Sequence, residues 1–227
     1  MTARLQIQTI VSQPFAENTY IVWRDDRPDA LVIDPGLEPD LILAFLDERG
    51  LDVAAILNTH GHADHIAGNG PLKERYPDAP LIIGAKETAL LADANLNMSA
   101  PFGFPIVSPP ADRTVNEGDI LDVAGIQLEV FEIPGHSPGH VVFVVHPLTG
   151  SPSPTGGRGE VVVFGGDVLF RGSIGCTDFP GGSFDRLASG IRGKLYALPD
   201  DTVVYPGHGP ATKVGFEKAT NPFVKAN

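Results

Sequence analysis

The sequence predicts an α+β chain in which two β-sheets pack against each other with helices on the outside. Three observations lead there: many short β-branched or alternating runs, helical stretches interspersed among them, and a second half that repeats the architecture of the first without repeating its sequence. At 227 residues, 42% of them apolar, the chain is long enough to bury a substantial core and short enough for one domain spanning residues 1–227.

In chain order, residues 5–11, 19–23, 30–33, 54–57 and 81–83 read as strands. Residues 39–49 place Leu41, Ile42, Phe45 and Leu46 at helical spacing, with acid early, Arg49 late and Gly50 following, which predicts an amphipathic helix. Residues 64–76 and 86–94 carry weaker helical patterns, the first interrupted by Gly68, Gly70 and Pro71. Residues 95–110 are rich in Pro, Gly and Ser around Met98, Phe102 and Phe104, which predicts a long loop packed over something and placed to overhang a site. The second half adds strands at 127–133, 140–145, 161–164 and 203–205 and a helix at 184–198. Between two of those strands, SPSPTGGRG at 151–159 predicts a flexible hairpin tip without a function of its own.

Composition excludes several classes of function. No apolar run approaches the roughly 18 residues that suggest a membrane span. The opening MTARLQIQTIVSQ reads as an alternating strand rather than a secretory signal, so the cytoplasm is the expected location. Cys176 is the only cysteine, which rules out an intrachain disulfide and a cysteine-based zinc module; any metal must be held by His and carboxylate. A net charge of −12 opposes the phosphate backbone of nucleic acids.

The sharpest feature is THGHADH, where His60, His62, Asp64 and His65 follow an apolar strand ending at Leu57. In an extended stretch, residues two apart point the same way, so His60 and His62 converge on one ion. If the chain then turns, Asp64 and His65 face a second. A helix does not bring positions i and i+2 together. The competing reading, a solvated polar loop, weakens further along the chain. His136 in IPGHSPGH, Asp167 in FGGDVLF and His208 in VYPGHGP each end an apolar strand with glycine beside them, which is how a rigid scaffold gathers groups distant in sequence. Imidazole and carboxylate suit zinc, iron or manganese, and Asp167 is able to bridge two ions roughly 3.5 to 4 Å apart. A purely structural zinc needs four closed ligands, not seven with room for two ions.

With that pattern, HxHxDH followed by His, Asp and His, the chain resembles the metallo-β-lactamase superfamily. The resemblance implies a four-layer αββα sandwich of two mixed sheets flanked by helices, with the site at the edge between the sheets. It also implies His60, His62 and His136 on a first metal, Asp64, His65 and His208 on a second, and Asp167 between them. Asp34 in VIDPG matches the family's early Asp-x-Gly and is expected to support the site, a plain turn residue being the simpler alternative. His140 follows the family's PGHxxGH and is expected behind the ligands, not among them. PFAENTYIV, GDVLFRGSIG, TDFPGG, YPGHGP and the late NPF are similar to short glyoxalase II-like (hydroxyacylglutathione hydrolase-like) proteins. Nineteen residues follow His208, so the helical C-terminal domain of full-length glyoxalase II is not expected here.

The implied reaction is hydrolysis of a small-molecule thioester, of the hydroxyacyl-thiol kind, by metal-bound hydroxide. Asp64 is the expected catalytic residue, orienting the hydroxide, and two divalent ions are the expected cofactors, zinc first with iron or manganese also suited. A thiolate leaves without a dedicated general acid. The alternatives are an iron-dependent persulfide dioxygenase, which shares the GxxxxTDF region but generally continues its last histidine as HDY where this chain has His208-Gly209-Pro210, and a lactone or other ester hydrolase. Cys176 stands where related proteins usually carry Lys or Arg, the residue that in glyoxalase II helps hold the glutathione carboxylate; it is assigned to the substrate side, with simple packing as the alternative. His146 reads as a surface histidine, and Arg171 and Lys213 as solvated cations unless an anionic substrate reaches them. Nucleic acid and membrane are not expected partners, and the sequence leaves the oligomeric state open.

Overall fold

The structure is a computed structural model and describes residues 3–146 and 161–226. Strands β1 (Leu5–Ser12), β2 (Glu17–Arg24), β3 (Asp29–Ile33), β4 (Asp52–Asn58), β5 (Leu81–Gly84) and β6 (Arg113–Val115) form one six-stranded sheet in chain order. The first three are antiparallel neighbours; from β3 to β6 the pairing is parallel. A second six-stranded sheet takes β7 (Ile120–Val123), β8 (Ile126–Glu132), β9 (Val141–Val145), β10 (Val162–Gly166), β13 (Val203–Pro206) and β14 (Thr212–Lys213), in the order β14-β13-β10-β9-β8-β7. Between β10 and β13, β11 (Leu169–Phe170) and β12 (Ser173–Ile174) make a small hairpin. The helices are α1 (Pro39–Arg49), α2 (Ala63–Ile66), α3 (Asn69–Arg75), α4 (Thr88–Ala92), α5 (Phe184–Gly190) and α6 (Val214–Thr220).

Strand alternation explains the layers. Leu57 of β4 and Phe143 and Val145 of β9 face inward, into a core shared by both sheets with Leu31, Leu128 and Phe164. Their neighbours point outward: Ile56 packs under Ile42 and Leu46 of α1, and Val142 and Val144 pack under Leu187 of α5. Both faces of each sheet are therefore buried, which is why its central strands read as nearly continuous apolar runs. The result is the expected sandwich of two mixed sheets between helices.

Helix α1 has the bounds its spacing predicts, with Gly50 at φ 61° returning its N–H to the carbonyls of Leu46 and Asp47. Other elements differ from expectation. The helix expected at 64–76 is two, because the chain turns between Ile66 and Asn69 beside the glycine at 68. The one expected at 184–198 is α-helical only to Gly190 and continues as a wider π-type turn over Ile191–Leu195. The one expected at 86–94 shrinks to Thr88–Ala92. Strands β6, β7, β11, β12 and β14 and helix α6 were not expected; two to four residues, or a single short helix, give too little periodicity to detect. The tip at 151–159 lies outside the described residues. Among those described, no helix is long and apolar enough to cross a membrane.

Phe143 has no solvent exposure and lies in the core that joins the two sheets. Phe143→Ala is expected to cost about 3–5 kcal/mol, seen as a lower urea midpoint at unchanged m-value.

Candidate metal centre

Five strands of the two sheets end at one edge of the sandwich, and each delivers a functional side chain there. Asp34 follows β3; His60 and His62 follow β4; His136 follows β8; Asp167 follows β10; His208 follows β13. The chain turns into the short helix α2 at His62, so Asp64 and His65 leave on a different side from His60 and His62. Close approach at this edge requires glycine. A Cβ on Gly207 would lie 2.2 Å from Asp167 Oδ1, and one on Gly166, whose φ is +46°, 2.2 Å from Thr59 Oγ1.

Two donor sets result. In the first, His62 Nδ1 lies 3.1 Å from His60 Nε2 and 2.9 Å from His136 Nε2. In the second, His208 Nε2 is 3.4 Å and His65 Nε2 3.9 Å from Asp64 Oδ2. Within each set the donor atoms lie inside 4.8 Å of one another. Asp167 lies between the sets: Oδ1 is 3.5 Å from His65 Nε2, and Oδ2 is 3.5 Å from both His136 Nε2 and His208 Nε2. The structure thus brings together all seven residues singled out by the sequence.

The far side of four imidazoles is fixed, and this sets their tautomers. His136 Nδ1–H donates to the carbonyl of Cys176 at 2.7 Å, and His208 Nδ1–H to that of Phe15 at 3.1 Å. His65 Nδ1–H donates to Asp34 Oδ2 at 3.1 Å. His60 Nδ1–H donates to Thr59 Oγ1 at 3.1 Å, whose hydroxyl passes on to Asp34 Oδ2 at 2.7 Å. Each Nε2 lone pair is therefore turned toward the centre. Asp34 Oδ1 accepts the Thr59 N–H as well, so a carboxylate with no free oxygen supports both sets from behind; its φ of 50° is one that Asp tolerates. His140 also stands behind the ligands. Its ring stacks on His60 at 4.7 Å, and its Nε2 accepts the backbone N–H of Asp167.

The donor chemistry fits divalent cations. Three imidazole nitrogens converge in the first set, and at most one of them has a proton to share. In the second, His65 Nε2 and Asp167 Oδ1 are buried with no hydrogen-bond partner. Orphaned buried polar atoms are costly, and a cation satisfies them together. Electrostatics separates the sets. Burial, reinforced by neighbouring imidazoles, pushes His60 well below its usual pKa and His62 down to about 3, and burial lowers His136. These rings are neutral, as ligands must be. Burial alone would also lower His65 and His208, but Asp64 and Asp167 outweigh it and raise both. Burial would raise Asp64, yet His65 and His208 hold it well below the usual carboxylate range.

Several supporting residues carried no sequence signal. Glu87, buried on α4's N-terminal side, accepts from the Gly61 N–H, the Ser137 hydroxyl and the Gly139 N–H, tying the His60–His62 loop to the His136–His140 loop. Asn18 and Tyr20 of β2 hold the Pro206 carbonyl at 3.0 and 2.6 Å, which fixes the His208 loop. The PFAENTYIV motif contains both, but the motif alone does not say what they grip.

The centre forms the floor of a cavity of about 260 Å³. Phe179 sits edge-on to His62 and His136 at 5.3 and 5.8 Å, and Phe170 edge-on to His208. The 95–110 segment does overhang the site, contributing Met98, Phe102 and Phe104 to the wall. Cys176 is exposed and lines the cavity, while its carbonyl holds His136. Arg171 and Lys213 line a different groove, with the Arg171 guanidinium 5.4 Å from the Phe216 ring centre. His146 pairs with Glu129 on the surface.

Residues 12–208 match the family model described as the metallo-beta-lactamase superfamily. The chain belongs to that superfamily. It is 36% identical over 225 residues to hydroxyacylglutathione hydrolase GloC of Haemophilus influenzae, covering 98% of this chain and 99% of that protein. Among solved structures it is similar to BLEG-1, a B3 metallo-β-lactamase, at 34% identity and a TM-score of 0.86, covering 96% of this chain and 99% of that one. It is similar also to TTHA1623, solved in a di-iron-bound form, at 38% identity and a TM-score of 0.79, covering 96% and 100%. Metallo-β-lactamase fold and clustered His and Asp donors together make this chain a metallo-hydrolase dependent on divalent metal.

Two outcomes test the centre. Asp34→Asn replaces one of the two accepting oxygens by an NH2 donor, so it cannot hold the Thr59 N–H together with the Thr59 hydroxyl and His65; metal affinity is expected to fall about 10–100-fold in a competition titration with a chromogenic chelator. Asp64 and Asp167 favour the protonated forms of His65 and His208 in the metal-free protein, so metal competes with protons at these two rings. Affinity is therefore expected to fall as pH falls, and Zn²⁺ added to metal-free protein in weak buffer at pH 7 to release protons.

Proposed function

We propose that this chain is a dinuclear hydrolase of small-molecule thioesters, of the hydroxyacyl-thiol kind, working in the cytoplasm with zinc as the first candidate metal. The observation that carries this reading is the pair of donor sets joined by Asp167 at the floor of an apolar cavity. Likeness to hydroxyacylglutathione hydrolase GloC across nearly the whole of both chains supports it. His60, His62 and His136 would hold one ion and Asp64, His65 and His208 the other, with Asp167 shared. Such a pair, when bound, acidifies a water and polarises a carbonyl oxygen.

The chain's own residues supply the rest. Asp64 is ionised and reaches the cavity, so it accepts a hydrogen bond from the attacking water and orients it toward the substrate carbonyl. Phe179 covers the first histidine set and limits bulk water there. Among the described residues the lining offers no carboxyl group besides Asp64 and Asp167, and a thiolate needs no general acid, since its conjugate acid has a pKa of about 8.5. Ester and lactam leaving groups are more basic and gain less from such a site. Similarity to the B3 metallo-β-lactamase BLEG-1 nevertheless favours, as a second reading, hydrolysis of a lactone or β-lactam.

The test is one assay series on purified protein with metal analysis of the same sample: S-lactoylglutathione, glutathione persulfide and a chromogenic β-lactam, each with and without oxygen. The expected outcome is oxygen-independent thioester cleavage, close to two metals per chain, and loss of activity in His62→Ala. Oxygen uptake with persulfide and one iron per chain would replace this reading with a dioxygenase, and cleavage of the lactam alone would replace it with the second reading.

A further inference from the structure

Beside the metal centre lies an aromatic wall that hydrolysis as such does not require. Phe15, Phe102 and Phe104 are in mutual contact, with ring centres 5.7 to 6.2 Å apart. Phe102 is 58% exposed and Phe104 40% exposed, although both line the cavity whose floor is formed by the ligands. A cluster of exposed aromatic rings in a concave site marks a place where apolar surface is meant to be covered.

The polar groups of the same wall are already engaged. Asn97 is fully buried; its amide donates to the carbonyls of Leu90 and Ile106, and its Oδ1 accepts from the Ser99 N–H and hydroxyl. Ser99 Oγ in turn accepts the Ile106 N–H. The loop spends these groups on its own shape and offers a ligand its phenyl rings. Its position is fixed as well, since the Asn97 carbonyl accepts the N–H of Ala63, the residue between His62 and Asp64. Among the described residues no Lys or Arg lines the cavity, and Arg171 and Lys213 face another groove. A substrate carboxylate seated against this wall, away from the metal-binding floor, would meet no cationic side chain there, on a chain whose net charge is −12.

We infer that the substrates of this site carry an apolar, uncharged group beside the scissile bond, seated on Phe15, Phe102 and Phe104, and that anionic thiol carriers are disfavoured. This rests on the thioester reading above and narrows it: an aryl or alkyl acyl group on a neutral thiol, rather than a thiol bearing carboxylates. Phenyl and alkyl groups gain from burial against the rings, whereas a peptide-like carrier finds no partner in the wall.

The test compares kcat/KM for three thioesters on metal-loaded protein: S-phenylacetyl-N-acetylcysteamine, S-acetyl-N-acetylcysteamine and S-lactoylglutathione. The phenylacetyl compound is expected to exceed S-lactoylglutathione by about tenfold or more. In the double variant Phe102→Ala, Phe104→Ala, the ratio of phenylacetyl to acetyl kcat/KM is expected to fall about tenfold, mainly through KM. Binding of the uncleavable thioethers S-benzyl-N-acetylcysteamine and S-benzylglutathione, followed by calorimetry, gives a readout independent of turnover, and the neutral one is expected to bind tighter. Preference for the glutathione compound in either measurement, or an unchanged ratio in the double variant, overturns the inference and leaves the hydrolase reading intact. Failure to cleave any thioester while the neutral thioether still binds tighter and loses affinity in the variant supports the apolar site and removes the thioester reaction instead.

Discussion

The carboxylate of Asp34 is the constraint on which the metal centre depends. It accepts the backbone N–H and the hydroxyl of Thr59 and the Nδ1–H of His65, and through Thr59 it reaches His60. One buried anion thereby sets the tautomer of a histidine in each donor set. Its own position is secured by the parallel pairing of β3 with β4, which puts Ile33 beside Leu57 and so Asp34 next to the loop it must hold. Glu87 plays the matching part on the other side, where its carboxylate joins the loops after β4 and β8.

Burial explains why the centre is both costly and selective. His60, His62 and His136 are neutral because they are desolvated and face one another, so the first set is all nitrogen and uncharged. The second set is dominated by Asp64 and Asp167, and its histidines are drawn toward the protonated form. A nitrogen-only set and a carboxylate-bearing set side by side, with Asp167 between them, give two unlike donor environments at one edge of the sandwich.

Above that floor the cavity is aromatic, and Cys176 shows how the two levels are connected. Its carbonyl holds His136, a role that any residue at this position retains because the backbone supplies it. The residue also lines the cavity, with its thiol exposed beside Asp178. The same division applies at Phe15, whose carbonyl holds His208 while its ring belongs to the apolar wall. Backbone groups of these residues fix the donor imidazoles His136 and His208, and the same residues line the cavity above them.

Sequence alone determined the fold class, helix α1, the central strands and the seven donor residues, because each is written in local periodicity or in His and Asp placed at the ends of apolar strands. It also placed a loop over the site at 95–110. It did not determine the short edge strands, the division of the helical pattern after His62, or α6, where two to seven residues carry too little pattern. Nor did it reveal Glu87, Asn18, Tyr20 or Phe179, which are ordinary residues in sequence and acquire a role only from partners 26 to 188 positions away or from a ring contact across the site. Which nitrogen of each histidine faces the centre, that Asp167 lies between the two sets, and that the wall above them is apolar were decided by tertiary structure, because orientation, distance and desolvation arise only when distant loops meet at one edge of the packed sheets.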